Sequence, residues 1–145
     1  MPRFDPAAFR WEGIEARAYK DEEGTARGMG WRGISRHTLA RHGFEVRYFE
    51  LAPGGFSSLE KHAHVHVVFA ARGHGRALIG DRVVDLRPLD LVETVPFEPH
   101  RWVNAGAEPF GFLCTVDGER DEPQPLDDGE WAAVLADPLT APFAH

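Results

Sequence analysis

Residues 43–117 are built from short apolar segments separated by turn-forming residues. Phe44-Glu45-Val46-Arg47-Tyr48 alternates apolar and polar with period two, the pattern of a half-buried strand. Pro53-Gly54-Gly55 interrupts it. Residues 65–71 form a β-branched and apolar run that ends at Gly73-His74-Gly75. Ala77-Leu78-Ile79 and Arg82-Val83-Val84-Asp85-Leu86 flank Gly80-Asp81, which reads as a hairpin with a two-residue turn. Pro88-Leu89-Asp90 is the next turn and 91–95 the next strand. Pro96 and Pro99 mark a loop before Arg101-Trp102-Val103, and Pro109 opens a last strand over 110–116. Short strands at roughly eight- to twelve-residue spacing predict an all-β sandwich or barrel.

The flanks differ from this centre. Residues 1–42 mix charges and glycines around Trp11, Tyr19 and Trp31, with a loop over 21–28. They predict an irregular N-terminal extension that packs on the barrel. Residues 118–145 begin acidic and proline-rich. Asp128 is the expected cap of a short helix over 129–136, which Asp137-Pro138 ends before a tail.

Composition narrows the function classes. The 145 residues hold 15 Gly and 11 Pro, which fits many turns and argues against a helix bundle. The formal net charge is −7, without a Lys/Arg cluster, so a nucleic-acid face or an anionic-membrane surface is excluded as an expectation. The longest apolar run, 131–136, is far short of the ~20 residues that span a bilayer. The N-terminus lacks the apolar core of a secretory signal. Cys114 is the sole cysteine, so no intrachain disulfide forms, and a cytoplasmic location is expected. Cys114 itself reads as a buried small apolar residue or, alternatively, as part of the inner barrel wall.

The chemistry concentrates in Glu60-Lys61-His62-Ala63-His64-Val65-His66. Glu60, His62, His64 and His66 share strand parity, and side chains two apart on a strand lie about 6.6 Å apart on one face. Glu60 and His62 can therefore converge on one metal ion. A straight strand would set residue 66 roughly 13 Å from residue 62. His66 joins only if the chain turns back through Ala63-His64-Val65.

Two stretches resemble the paired motifs of the cupin superfamily. The first family pattern, G-x5-H-x-H-x3-E-x6-G, matches in spacing Gly54, Glu60, His62, His66 and Gly73. The second, G-x5-P-x-G-x2-H-x3-N, matches Leu89, Val95, Phe97, His100 and Asn104, with His100 and Asn104 kept and the Gly, Pro and Gly positions replaced. Glu60 and His66 exchange the residue types the family places there, so the content of three His and one carboxylate survives. A rival register pairs His62 with His64, but Val68 then stands at the carboxylate position and the spacing to Gly73 breaks.

The resemblance implies an antiparallel double-stranded β-helix, or jelly-roll barrel, over 43–117, with one divalent metal per chain: iron, manganese, nickel, copper or zinc. Glu60, His62, His66 and His100 are its implied ligands. His64 is an alternative or supporting residue, and Glu60 doubles as a candidate base. The leading expectation is an oxygenase of a small organic molecule. A metal-dependent lyase, isomerase or cyclase is the near alternative, then a non-catalytic metal- or ligand-binding module, then a metal that only clips the barrel. Family members pair through sheet edges, so a homodimer is expected. No independent Ser-His-Asp, Cys-His or paired-carboxylate set is visible. Phe69, Phe97, Trp102, Phe110 and Phe112 read as core or pocket wall. His37, His42, His74 and His145 have no patterned partners.

Overall fold

The computed structural model describes residues 2–18 and 26–144. Tyr19, His145 and most of the 21–28 loop lie outside the described residues. A short hairpin, β1 (Phe4–Asp5) with β2 (Arg10–Trp11), stands apart from an eleven-stranded, nearly closed antiparallel sheet. Its long strands are β4 (Arg32–Arg41), β5 (Phe44–Phe56), β7 (His66–Arg72) and β12 (Phe110–Asp117). The shorter ones are β3 (Arg17–Ala18), β6 (Glu60–Lys61), β8 (Gly75–Ile79), β9 (Arg82–Leu86), β10 (Leu91–Thr94), β11 (His100–Asn104) and β13 (Gln124–Pro125). One path runs β10-β7-β12-β5-β11-β6-β13. β4 pairs with β5, and β8 joins β11 to β9.

The predicted strands of 43–117 are all present. Pro53-Gly54-Gly55, expected to end a strand, instead lies inside β5. Gly54 takes φ 72° there, and Gly33 takes φ 59° on the paired β4 at a register shift. Glycine pays little for this left-handed backbone, so the ribbon bends without ending. Strand β4 falls within the stretch read as an N-terminal extension and pairs with β5 along most of its length.

The strand parity sorts the core. Leu51, Val68, Ala70, Trp102, Phe110, Phe112 and Cys114 fill the barrel interior. On β8, Ala77 and Ile79 join that core, while Leu78 faces the other way into a second cluster with Leu59, Leu126, Val134 and Phe143. This second cluster seats helix α1 (Asp128–Ala136) and a 3-10 turn (Ala141–Ala144) against the barrel. The helix cap is Asp127 rather than Asp128. Asp127 accepts from the Glu130 backbone and the Glu130 carboxylate accepts from the Asp127 backbone, a capping box.

The N-terminal hairpin is tied down at Tyr48, whose ring lies 5.5 Å from that of Phe9 and 5.1 Å from that of Trp11. The Tyr48 hydroxyl donates to Glu50, which also pairs with Arg10 and Arg72. Among the described residues, no helix is long and apolar enough to cross a membrane.

Candidate metal centre

Four histidines meet inside one end of the barrel. His62 follows β6, His66 opens β7 and His100 opens β11, whose backbone pairs with Glu60 and Ile79 on opposite sides. The chain bends at Ala63 and His64, so His62 and His66 approach to 4.5 Å between ring centroids instead of the separation of an extended strand. The His100 ring lies 4.7 Å from His62 and 5.3 Å from His66. One ligand nitrogen from each of His62, His66 and His100 lies within 4.8 Å of the others, and all three residues are buried.

The hydrogen bonds select the free nitrogens. His62 Nδ1 donates to the His64 carbonyl and His100 Nδ1 donates to the Glu98 carbonyl. Each ring is thereby fixed with a lone pair on Nε2, and both Nε2 atoms are buried without a partner, as is His66 Nδ1. Burial holds the pKa values of His62 and His100 down to about 4 and pushes His66 well below its ordinary value, with neighbouring imidazoles adding to the effect at His62 and His66. The rings are neutral near pH 7, as metal ligation requires. Three buried imidazoles whose ligand-type nitrogens lie within 4.8 Å of one another suit a divalent transition ion.

His64 lines the same cavity beside these three. Its ring stacks on His62 at 3.5 Å, and its Nε2 lies 3.1 Å from His66 Nε2. Asp121 accepts from His64 Nδ1 at 2.7 Å and from the backbone N–H groups of Ala63 and His64, so one carboxylate holds the whole bend. These donors push the Asp121 carboxyl below the usual carboxylate range. His62, His64 and Asp121 form a second cluster of ligand-type atoms. Glu60 is buried and lines the same cavity. Its carboxylate accepts from Ser58 Oγ and belongs to neither cluster. His37 is buried against Tyr48 and His74 faces Asp85, both outside the cavity.

The cavity has a volume of about 320 Å³. Its lining also carries Trp31, Ile34, Phe49, Trp102 and Phe112, and three arginines, Arg36, Arg47 and Arg120. Arg120 holds Glu45 at 3.0 Å. Cys114 lines the cavity and is 1% exposed, and burial pushes its thiol pKa up.

A cupin-domain family model matches residues 47–116. Over 138 residues the chain is 40% identical to the 1-methylthio-D-xylulose 5-phosphate methylsulfurylase of Rhodospirillum rubrum, covering 93% of this chain and 86% of that protein. This chain belongs to the cupin superfamily. Two solved cupins agree over nearly the full length. A cupin-2 domain protein of Rhodospirillum rubrum superposes with a TM-score of 0.83 at 36% identity, covering 99% of this cupin and 94% of its own chain. A cupin 2 conserved barrel protein of Rhodopseudomonas palustris gives a TM-score of 0.87 at 35% identity, covering 99% and 97%. The cupin motifs located His62, His66 and His100. They carried no signal for Asp121, Arg36, Arg47 or Arg120, which reach the cavity from other strands and from the acidic stretch after β12.

Proposed function

We propose that this cupin is a metal-dependent enzyme that cleaves the carbon–sulfur bond of a 1-methylthio ketose phosphate such as 1-methylthio-D-xylulose 5-phosphate. The carrying observation is the 40% identity to the named methylsulfurylase over 93% of the chain. The cavity supports it. Its volume falls in the range of small-molecule sites, roughly 300–1,000 Å³. Its half-buried arginines Arg36 and Arg120 suit a phosphate group. The aromatic wall suits the methylthio end.

His62, His66 and His100 would hold the ion, with His64 and Asp121 fixing the bend that presents them. When bound, a divalent ion polarises the ketone next to the scissile bond. Arg36 and Arg120 bind the phosphate and orient the sugar. Trp102 and Phe112 keep water from the methylthio carbon. A small thiol, the co-reactant, takes the methylthio group as a mixed disulfide, the C–S bonding pair stays on C1 beside the ketone, and we assign Glu60 to pass the thiol proton to C1. Glu60 as a fourth ligand, the expectation from the motif, is the alternative. Metal analysis of Glu60→Ala decides between them, because a base can be removed without losing the ion. Oxygenase chemistry, the sequence expectation, gains no support from the named relative, whose name describes methylthio chemistry. The expected homodimer belongs to this proposal too: Leu91, Val95 and Phe97, on and just after edge strand β10, are exposed apolar side chains suited to self-association.

The test is incubation of the metal-loaded protein with 1-methylthio-D-xylulose 5-phosphate and a small thiol. Formation of the 1-deoxy ketose phosphate supports the reading, and an unchanged substrate at full metal occupancy overturns it.

A further inference from the structure

We propose that Arg47 is a catalytic residue of the reaction above, whose guanidinium donates to the substrate's ketone oxygen as that oxygen takes on enolate charge. This deepens the proposed carbon–sulfur cleavage and rests on it. Cleavage leaves the C–S bonding pair on C1 beside the ketone. Such a pair is carried as an enolate, with most of its charge on the C2 oxygen. Arg36 and Arg120 are assigned to the phosphate and Glu60 to the proton, so this charge is the one left without a partner among the protein's side chains.

Sheet register sets Arg47 where that oxygen falls. Arg36 on β4 is paired with Phe49 on β5, and Arg47 stands two residues before Phe49 on the same face. Arg47 is paired with Cys114 on β12, which is paired in turn with Val68 on β7. His66 stands two residues before Val68 and shares its face. Arg36, Arg47, Cys114 and His66 all line the one cavity. Its wall thus runs from Arg36 through Arg47 to the imidazole cluster. A ketose phosphate lying along it, with its phosphate at Arg36, sets its C1–C2 end between Arg47 and the imidazoles. The Arg47 charge is among the causes that hold His66 below its ordinary value, as nearness to that cluster requires.

The guanidinium itself points to a guest. Arg47 is 5% exposed, and its buried Nε has no hydrogen-bond partner. Its Nη2 donates to Cys114 Sγ at 3.4 Å, and its guanidinium lies 5.2 Å from the Phe49 ring centre. A thiol sulfur is a weak acceptor and an aromatic face is no counter-ion. Arg120, in contrast, already holds Glu45 at 3.0 Å. Burying a guanidinium is costly unless an anion or further acceptors complete it. An oxygen that becomes negative only during the reaction is such a partner, and a donor fixed beforehand in a buried site stabilises it more than it stabilises the neutral ketone.

The step balances. The sulfur of the thiol co-reactant bonds to the methylthio sulfur, the C1–S bond breaks, and its electron pair moves through C1 onto the C2 oxygen. Arg47 donates a hydrogen bond to that oxygen and keeps its own protons. The pair then returns to C1 to bond the thiol proton passed on by Glu60, and the ketone is restored. C1 gains two electrons while the two sulfurs lose two as the mixed disulfide.

The protonation step, run backwards, tests this without any thiol. In deuterium oxide the metal-loaded wild type should wash deuterium into the C1 methyl group of the product, 1-deoxy-D-xylulose 5-phosphate, as followed by proton NMR. Losing one preorganised donor to an oxyanion costs about 10²–10³ in rate. Arg47→Met should lose about that factor both in the exchange and in kcat with 1-methylthio-D-xylulose 5-phosphate and a small thiol, with KM changed less than about threefold and the metal kept. Arg47→Lys, which retains a charge and donors, should recover part of both. Folding supplies a second readout. Removing a buried charge held for a guest relieves a cost, so metal-free Arg47→Met should unfold at the same or a higher urea concentration than the metal-free wild type. A lower midpoint, or a variant that does not fold, assigns the guanidinium to the fold and overturns the proposal. A large rise in KM with kcat unchanged overturns it too, by making Arg47 a phosphate ligand, as does undiminished exchange in Arg47→Met. Each of these leaves the carbon–sulfur cleavage standing as long as the wild type turns over. A wild type that neither turns over nor exchanges at full metal occupancy overturns the proposed function and this step with it.

Discussion

At the scale of single residues, the histidine cluster depends on groups outside His62, His66 and His100 for its geometry. His62 and His100 are each oriented by one backbone carbonyl, and the bend between His62 and His66 is held by Asp121. Replacing such outer partners commonly costs 10–100-fold in metal affinity. Asp121→Asn keeps the size but loses the charge and one of its two acceptor oxygens. We expect metal affinity to fall by about that factor in a competition titration, whereas His62→Ala, His66→Ala and His100→Ala should each abolish stoichiometric binding. The histidines also set a pH dependence in the metal-free protein. In the unfolded chain they titrate near 6.5, while folded His62 and His100 titrate at about 4. Between those values the unfolded state binds more protons, so stability rises with pH and is lost on acidification. Each group contributes up to about 1.4 kcal/mol per pH unit across that window. Urea midpoints of the metal-free protein should therefore drop steadily from pH 6.5 to 4. A flat profile there would contradict the buried, neutral assignment. Asp121, held low, adds to the loss only below the ordinary carboxylate range.

At the scale of elements, strand order was legible and cross-strand partners were not. Period-two alternation at 44–48, and apolar runs between turn residues elsewhere, located most strands from β5 to β12, and motif spacing singled out His62, His66 and His100. The condition that His66 requires a reversal at Ala63-His64-Val65 is met by the observed bend. The clamp on that bend escaped notice because Asp121 lies 57 residues from His64 in a stretch without periodicity. The Arg47–Cys114 pair depends on the register of β5 against β12, which no local pattern specifies. The C-terminal helix was placed correctly, but its cap moved by one residue. Asp127 and Asp128 are adjacent acids, and only the reciprocal bond with Glu130 distinguishes them. Asp127→Ala should destabilise by about 0.5–2 kcal/mol in chemical denaturation, and Asp128→Ala by much less. The Asp127 loss should loosen Leu126 and Val134, which seat the helix on Leu59 and Leu78.

At the scale of the whole molecule, an acidic protein places three arginines among the carboxylates of its cavity. The net charge is −7, yet Arg36, Arg47 and Arg120 line the space beside the imidazoles. Under the proposed function, the Arg36 and Arg120 guanidinium groups give the phosphate a local counter-charge regardless of the overall sign. Arg36→Ala should raise KM for a phosphorylated substrate by about tenfold or more with a smaller effect on kcat, measured in steady state at two ionic strengths. The Asp121 clamp has one more consequence. The recognisable cupin segment, 47–116, contains the four clustered imidazoles and Cys114 but neither Asp121 nor Arg36 and Arg120. What is inherited as the family pattern is thus a set of donors without the parts that set their spacing and choose their guest. A transplant of that segment into another barrel would carry the histidine donors while leaving behind, in the flanks, the acid that holds their bend and two of the cavity's arginines.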